Sequence, residues 1–546
     1  MRNIAAGMQK KVWQIRPASR DAAKLAQSLN ISPLVAQILI NRQLDQTEPA
    51  RAFLSPKLSD LIAPEQMFGI SEAAACIRQA IESRKKISIY GDYDVDGITS
   101  VAILWHLLQM LGAQVDYYIP HRIDEGYGLN SDAVRRLAAG GTELLITVDC
   151  GITAVEPVRL AREMGIQTLI TDHHQPGAVL PDAAAIVHPR LDPAYGNPHS
   201  AGAMVAFKLA WAVANAYKKG VQLSAPLRQY LLNATTLAGI GTIADVVDLR
   251  GENRVLAGYG LKALEASNLV GIRTLVQTAE LYAADVNSYA VAFRLAPMLN
   301  AAGRMGHARL AVELLTTESE VRAIQIAQYL KDQNRLRQKY QLDIFKQARQ
   351  RIVQMGLHHP DRKTIVLADE NWHTGVIGIV AARIVDDFYR PTILINTGEG
   401  IGQGSGRSIE GFNLHAHLEA CSDYLISFGG HEMAAGLRIE PSRIAAFAEA
   451  FEASAEQAFR EKMPASCLTI DAEVRIADFT ERLMKELNYL EPFGQGNPKP
   501  LFAVRGVKLI APPRKVGARN DHLQLSIADA SGAVRCIGFG MGNLEK

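Results

Sequence analysis

Apolar residues in the first half of the chain fall into two kinds of run that alternate. Short runs rich in β-branched and large side chains read as strands: "ISIY" (87–90), "QVDYYIP" (114–120), "ELLITVD" (143–149) and "IQTLITD" (166–172). Between them lie stretches with helical spacing. Ile98 to Leu111 reads as an apolar helix, Asn130 or Ser131 caps a short one, and "TAVEPVRLAREMG" (153–165) is a helix stopped by its glycine. This βαβα alternation predicts an α/β fold with a mostly parallel, helix-covered sheet.

The polar residues that interrupt this pattern gather at strand ends. Asp92, Asp94 and Asp96 follow the first strand in "GDYDVDG", Asp149 ends the third, and Asp172, His173 and His174 end the fourth in "TDHHQPG". Ligands of open α/β sheets bind outside the carboxyl ends of the strands, so all three clusters are expected at one rim. A further acid, Asp245, sits in the apolar, glycine-flanked run "AGIGTIADVVDL".

Three carboxylates so close together repel unless a cation offsets them. A calcium EF-hand loop also opens D-x-D-x-D-G, but it needs a bidentate Glu at its twelfth position. Counted from Asp92, that position is Ile103, inside an apolar run, so the calcium-loop reading fails. Two divalent ions ~3.5–4 Å apart need several carboxylates, one of them bridging. Asp94, Asp96, Asp149 and Asp245 supply that charge, and imidazole beside carboxylate suits Mn²⁺ while tolerating Mg²⁺ or Co²⁺. Taken singly, a strand-end aspartate is usually a helix cap or turn former. The convergence of four motifs is what points to metal.

A chain of 546 residues is too long for one core and predicts about three or four domains. The net charge of +2 leaves any nucleic-acid contact to local patches. Five scattered cysteines without C-x-x-C spacing point to a reducing cytoplasm rather than a disulfide frame or zinc ribbon. The basic N-terminus lacks the apolar segment of a signal peptide, and no run approaches the ~18 apolar residues of a membrane span.

"GDYDVDG", "TVDCG", "TDHHQPG" and "IADVVDL" resemble the four metal motifs of the DHH phosphoesterase superfamily. "HPRLDP" (188–193), "LNAAGRMGHA" (299–308), "GVIGIVAARI" (375–384), "GQGSGRS" (402–408) and "FGGHEMAAG" (428–436) resemble its branch of bacterial single-strand-specific exonucleases. The resemblance implies a DHH lobe at 51–255, preceded by an N-terminal segment (1–50) packing on it. It also implies a helical connector at 256–344, a DHH-associated lobe at 345–462 facing the first across a cleft, and an OB-like β domain at 466–546. The chain stops short of the usual end of that branch, so the OB-like domain is expected to lack its last strands. The implied activity is Mn²⁺- or Mg²⁺-dependent hydrolysis of single-stranded DNA from the 5′ end to mononucleotides, in repair and recombination, with a helicase or single-strand-binding protein as candidate partners.

Carried over by motif, the metal ligands are Asp94, Asp96, Asp149, His173 and Asp245, with His174 touching a metal or the scissile phosphate and Asp92 behind the ligands. Arg304, Arg407, Ser405 and His431 are the expected phosphate contacts; guanidinium suits bidentate phosphate binding, and the glycines around Arg407 let backbone N–H groups approach an anion. Lys331 to Ile352 carries seven basic and two acidic residues and reads as a solvated connector helix. Leu501 to Asn520 carries five basic residues and no acid, so Arg514, Lys515 and Arg519 are expected to contact DNA. A DHH hydrolase of short oligonucleotides or cyclic dinucleotides is the alternative, disfavoured by the extra sequence beyond Pro464.

Overall fold

The computed structural model describes residues 11–122, 125–218, 222–282, 285–398, 400–460 and 463–544. The chain divides into two compact units. Of the described residues, the first comprises Lys11, Ala63–Asp245 and Tyr259–Ser466; the second comprises Val12–Ile62, Val246–Gly258 and 467–544.

In the first unit, β1 (Lys86–Gly91), β2 (Gln114–Tyr118), β3 (Leu144–Val148), β4 (Gln167–Thr171) and β5 (Ala185–Val187) form one sheet in the order β2-β1-β3-β4-β5. Every pairing is parallel. β3 is buried at all its positions, as a parallel strand covered by helices requires. Helix α1 (Val95–Met110) packs against α2 (Gly202–Ala216) and α3 (Ala225–Ala244). The strand order reverses between β1 and β3, and the crevice at such a switch point is where open α/β sheets bind ligands.

Beyond α4 (Ala296–Arg304) and the long helix α5 (Glu320–Gln354), a second sheet is built from β6 (Ile365–Asp369), β7 (Thr392–Asn396), β8 (Gly402–Arg407), β9 (Leu425–Gly430) and β10 (Ala434–Ile439). Its order is β9-β10-β8-β7-β6, with only β6 and β7 parallel. Helix α6 (Thr374–Phe388) packs on it and contributes Val376, Val380 and Ile384 to a core shared with Ile344 and Ile352 of α5. The basic run 331–352 therefore lies on a helix that is buried along one side.

Residues 12–62 belong to the second unit rather than to the parallel-sheet domain on which the sequence placed 1–50. The strand Val12–Ile15 pairs in parallel with Cys467–Ile470, and Leu25, Val35, Ile38, Leu39 and Phe53 share a core with Leu483 and Leu490. The reason is apolar surface. The helices Ala22–Leu29 and Pro33–Asn41 close their buried faces on the helix Glu481–Asn488, which carries Leu483. In the same unit Lys508–Val516, His522–Ala528 and Ala533–Gly538 form a three-stranded antiparallel sheet. Among the described residues it does not close into a barrel. No described helix is long and apolar enough to cross a membrane.

Candidate metal and phosphate site

The acids meet where the strand order switches. Helix α1 starts at Val95, three residues before the point expected from its apolar run. The cause is Asp94, the N-cap: its Oδ1 accepts from the backbone N–H groups of Asp96 at 2.9 Å and Gly97 at 3.1 Å. Asp96 therefore lies in the first helical turn, fully buried. Its two oxygens accept from the amides of Gly202 at 2.6 Å and Ala203 at 2.9 Å at the start of α2. Asp149 follows β3 with φ +60°, a strained conformation for a residue other than glycine. Asp245 caps the C-terminus of α3.

These elements approach closely because two positions lack a side chain. A Cβ on Gly202 would stand 2.6 Å from Asp149 Oδ1, and one on Gly241 would stand 2.7 Å from Asp96 Oδ1.

His173 Nε2 lies 3.0 Å from Asp149 Oδ1 and 3.8 Å from both Asp96 Oδ2 and Asp245 Oδ2. Among the described residues neither His173 Nε2 nor Asp149 Oδ1 has a hydrogen-bond partner, although both are buried. Their separation is that of a hydrogen bond, yet none forms between them, and each belongs to a cluster whose ligand atoms lie within 4.8 Å of one another: Asp149 with His174 and His173, and His173 with Asp96 and Asp245. Asp92, expected behind the ligands, is brought forward: it clusters with Asp94 and Asp149, and its buried Oδ1 is also unpartnered.

Asp172 plays a different part. Its Oδ1 accepts from the amides of His173 at 2.7 Å and His174 at 3.1 Å and lies 2.7 Å from His174 Nδ1, while its Oδ2 accepts from the Ile152 amide at 2.9 Å. The Tyr127 hydroxyl lies 2.9 Å from the same His174 nitrogen and donates to the Asp149 carbonyl at 3.2 Å. His188, from "HPRLDP", contacts the His174 carbonyl at 2.9 Å. Tyr127 carries no motif and was invisible in the sequence; His188 lay in a quoted motif but had been given no role.

The electrostatics suit a cation. Burial, and then Asp94, push Asp96 up to about 7. Burial, and then Asp96 and Asp94, push Asp245 up to about 9 and hold Asp149 well above the carboxylate range. Burial drives His173 down to about 3, favouring the neutral imidazole a metal requires. Burial works to raise Asp172, but the hydrogen bond and charge of His174, the Ile152 amide and the charge of His173 together outweigh it and bring the group down to about 2. Carboxylates facing one space beside a neutral imidazole, with orphaned donor atoms, fit Mn²⁺ or Mg²⁺.

The expected phosphate contacts form a second group in the same unit. Arg304, at the end of α4, is half-buried and donates to the Gly375 carbonyl at 3.0 Å. Arg407, at the end of β8, donates to Ser405 Oγ at 3.2 Å and to the Gly406 carbonyl at 2.7 Å. Burial lowers Arg304 to about 9, helped by the charges of Arg122, Arg337 and Arg407; burial and then Arg122 lower Arg407. Mutually repelling guanidiniums in a half-buried space favour an anion between them. His431 is exposed in the turn between β9 and β10, where its amide donates to the Ala434 carbonyl at 2.8 Å, and Ala434 pairs with Arg407 across β10 and β8. Arg514, Lys515 and Arg519 are exposed on the strand Lys508–Val516 and the turn after it, in the second unit.

Fold and site together are those of a DHH phosphoesterase. The DHH family, N-terminal domain, matches residues 86–237, the DHHA1 domain matches 361–457, and the RecJ OB domain matches 470–546. Among curated proteins the chain is 41% identical over 538 residues to the single-stranded-DNA-specific exonuclease RecJ of Bacillus subtilis, covering 98% of this chain and 66% of that protein. It is 32% identical to the RecJ of Haemophilus influenzae, covering 93% and 89%. The crystal structure of Thermus thermophilus RecJ in complex with Mn²⁺ superposes with a TM-score of 0.82 at 32% identity, covering 97% of this chain and 74% of that one; the Mg²⁺ complex gives 0.77 at 30%, covering 97% and 72%. The chain belongs to the RecJ family.

Proposed function

We propose that this chain is a divalent-metal-dependent exonuclease. It hydrolyses single-stranded DNA from the 5′ end to 5′-mononucleotides, in DNA repair and recombination. The observation that carries this reading is the pair His173 Nε2 and Asp149 Oδ1, buried and orphaned 3.0 Å apart among Asp96, Asp245 and the "GDYDVDG" acids. In this reading Asp94, Asp96, Asp149, His173 and Asp245 hold two Mn²⁺ or Mg²⁺ ions, and Asp92 joins them beside Asp94. Ions held there supply a metal-activated water and offset charge on the phosphoryl oxygens.

The chain's own residues do the rest. Asp172 fixes the loop that carries both histidines by accepting three backbone N–H groups. Burial works to lower His174, but the hydrogen bond and charge of Asp172, with the charges of Asp96 and Asp92, raise it; Asp172 fixes the ring through Nδ1 at 2.7 Å, and in this reading the ring offsets negative charge as it develops on the phosphate. Arg304, Arg407 and Ser405, with Arg122 beside them, clamp the phosphate of the terminal nucleotide, and His431 approaches it from the turn after β9. Arg514, Lys515 and Arg519 track the backbone of longer strands. A helicase or a single-strand-binding protein is the candidate partner. The five cysteines, none of them in a disulfide among the described residues, suit a cytoplasmic setting.

The test is digestion of 5′- and 3′-labelled single- and double-stranded DNA with Mn²⁺, with and without chelator. Release of labelled mononucleotide from the 5′-labelled single strand, abolished by chelator, is the expected result. Release first from the 3′ label, or equal attack on duplex, would overturn the reading.

A further inference from the structure

The helix that ends at Arg304 carries an accessible stripe that the catalytic assignment does not use. Ser288–Ala290, a π-helical turn at Val291–Leu295 and α4 run on as one helix. Tyr289, Phe293, Pro297, Asn300 and Arg304 are exposed or half-buried along it, while most other positions are buried. Their spacings of four, four, three and four put them on one face.

The two ends of this stripe differ in chemistry. At the C-terminal end, Asn300 Oδ1 accepts from the Val95 amide at 3.2 Å, and Gly303 lies so close to the Tyr93 carbonyl that a Cβ would stand 2.7 Å from it. That end is seated on the acid loop, and Arg304 continues toward Gly375. At the N-terminal end, Tyr289 and Phe293 expose 66% and 64% of their surface, with ring centroids 4.5 Å apart and planes tilted by 32°. Neighbouring Arg294 is held by the carbonyls of Ala279 at 2.6 Å and Glu280 at 3.2 Å. Single exposed apolar side chains are ordinary, but these two rings adjoin, and the π-helical turn that carries Phe293 is a feature frequently found at functional sites.

We propose that Tyr289 and Phe293 form a stacking platform for bases of the substrate strand, on the side of the scissile phosphate away from the terminal phosphate. This rests on the nuclease reading above. Along the stripe the order is rings, acid loop, phosphate-clamping arginine, which is the order a strand requires when its terminal phosphate is held at Arg304. A rise of ~1.5 Å per residue puts Phe293 ~10 Å and Tyr289 ~16 Å from Asn300. At a stacked spacing of ~3.4 Å per nucleotide, the platform meets bases about three to five nucleotides from the acids. Stacking on an aromatic ring accepts every base, so the platform adds grip without sequence preference.

The experiment compares the full chain with its Tyr289→Ala/Phe293→Ala variant. Binding is measured with Ca²⁺ in place of Mn²⁺, on strands with intact bases and on strands abasic at about the third to fifth nucleotide. Stacking worth about 1–3 kcal/mol per base predicts that the abasic strand binds the unaltered chain roughly five- to a hundredfold more weakly. The variant binds both strands alike, at the weaker level, while its hydrolysis of a dinucleotide is unchanged. Tryptophan at both positions restores discrimination. If the unaltered chain does not distinguish the strands, or the variant still does, the platform is overturned. It is equally overturned if the variant only shifts the oligomeric state, which would make the patch a self-association face. A chain that cleaves no single strand would sink the nuclease reading, whereas normal cleavage with indifference to abasic sites removes the platform alone.

Discussion

Asp149 Oδ1 and His173 Nε2 stand 3.0 Å apart, both buried, and neither makes a hydrogen bond. Burial and the charges of Asp96 and Asp94 make the Asp149 carboxylate a cost to the metal-free fold. Asp149→Asn should therefore remove nearly all hydrolysis without lowering the melting temperature of metal-free protein; asparagine also tolerates the left-handed backbone there. Activity above about a tenth of the unaltered chain, with normal unfolding, would mean that this carboxylate bridges no ions.

The same repulsion predicts how metal and pH interact. In the metal-free fold Asp96 titrates at about 7 and Asp245 at about 9, both above the value of an unfolded chain. The folded state then binds more protons than the unfolded state between those limits, so the metal-free protein loses stability as pH rises from about 4 toward 9. A bound cation offsets the charge that appears. The gain in melting temperature on adding Mn²⁺ should be larger at pH 8.5 than at pH 6, and uptake should acidify a weak buffer. A gain independent of pH would place the ions elsewhere.

Arg407 donates to Ser405 and to its neighbour's carbonyl, contacts the β8 strand can spare. Arg407→Ala should lower kcat/KM roughly ten- to a hundredfold, since a charge-assisted phosphate contact is worth about 1.5–3 kcal/mol. The melting temperature should barely move. A fall in stability with unchanged kinetics would reduce Arg407 to a structural turn residue.

The acids were legible because each follows an apolar strand, and strand ends in a parallel sheet share one rim. The start of α1 was not, since Val95 and Asp96 look like loop until the Asp94 carboxylate is seen capping them. Spacing alone does not say which of the three alternate carboxylates, Asp92, Asp94 or Asp96, faces inward. The pairing of Val12–Ile15 with Cys467–Ile470 joins opposite ends of the chain and leaves no local signal. Gly202 and Gly241 carry their meaning only through the carboxylates that approach them.

In the second unit, stability hinges on Arg254. Its buried guanidinium lies 3.7 Å from the Phe53 ring centroid and donates to the carbonyls of Phe53, Tyr489, Leu490 and Glu491. Among the described residues no carboxylate pairs with it, and burial, then the charge of Arg42, lower it to about 9. Each carbonyl orphaned in a buried site costs about 1–3 kcal/mol, so Arg254→Ala should destabilise this unit by several kcal/mol. Arg254→Lys should recover only part, because an ammonium has three donors against five. Denaturant unfolding monitored in this unit tests it; a change below about 1 kcal/mol would mean that water replaces the guanidinium.

Arg514, Lys515 and Arg519 separate grip from chemistry. They are exposed on the three-stranded sheet of the second unit, with Arg514 opposite Gln524 and Lys515 opposite Leu523, so their replacement by glutamine leaves the strand pairing intact. Cleavage of long single strands should weaken, whereas hydrolysis of a dinucleotide, which needs only the acids and the arginine clamp, should hardly change. Salt dependence makes the claim quantitative. Each phosphate contact on a single strand contributes about 0.7 to the slope of log K against log salt, so three lost contacts flatten it by roughly 2. Unchanged affinity and slope on a long strand would show that the basic run is only a solvated face. Equal loss on short and long substrates would show instead that the substitutions had reached the catalytic unit.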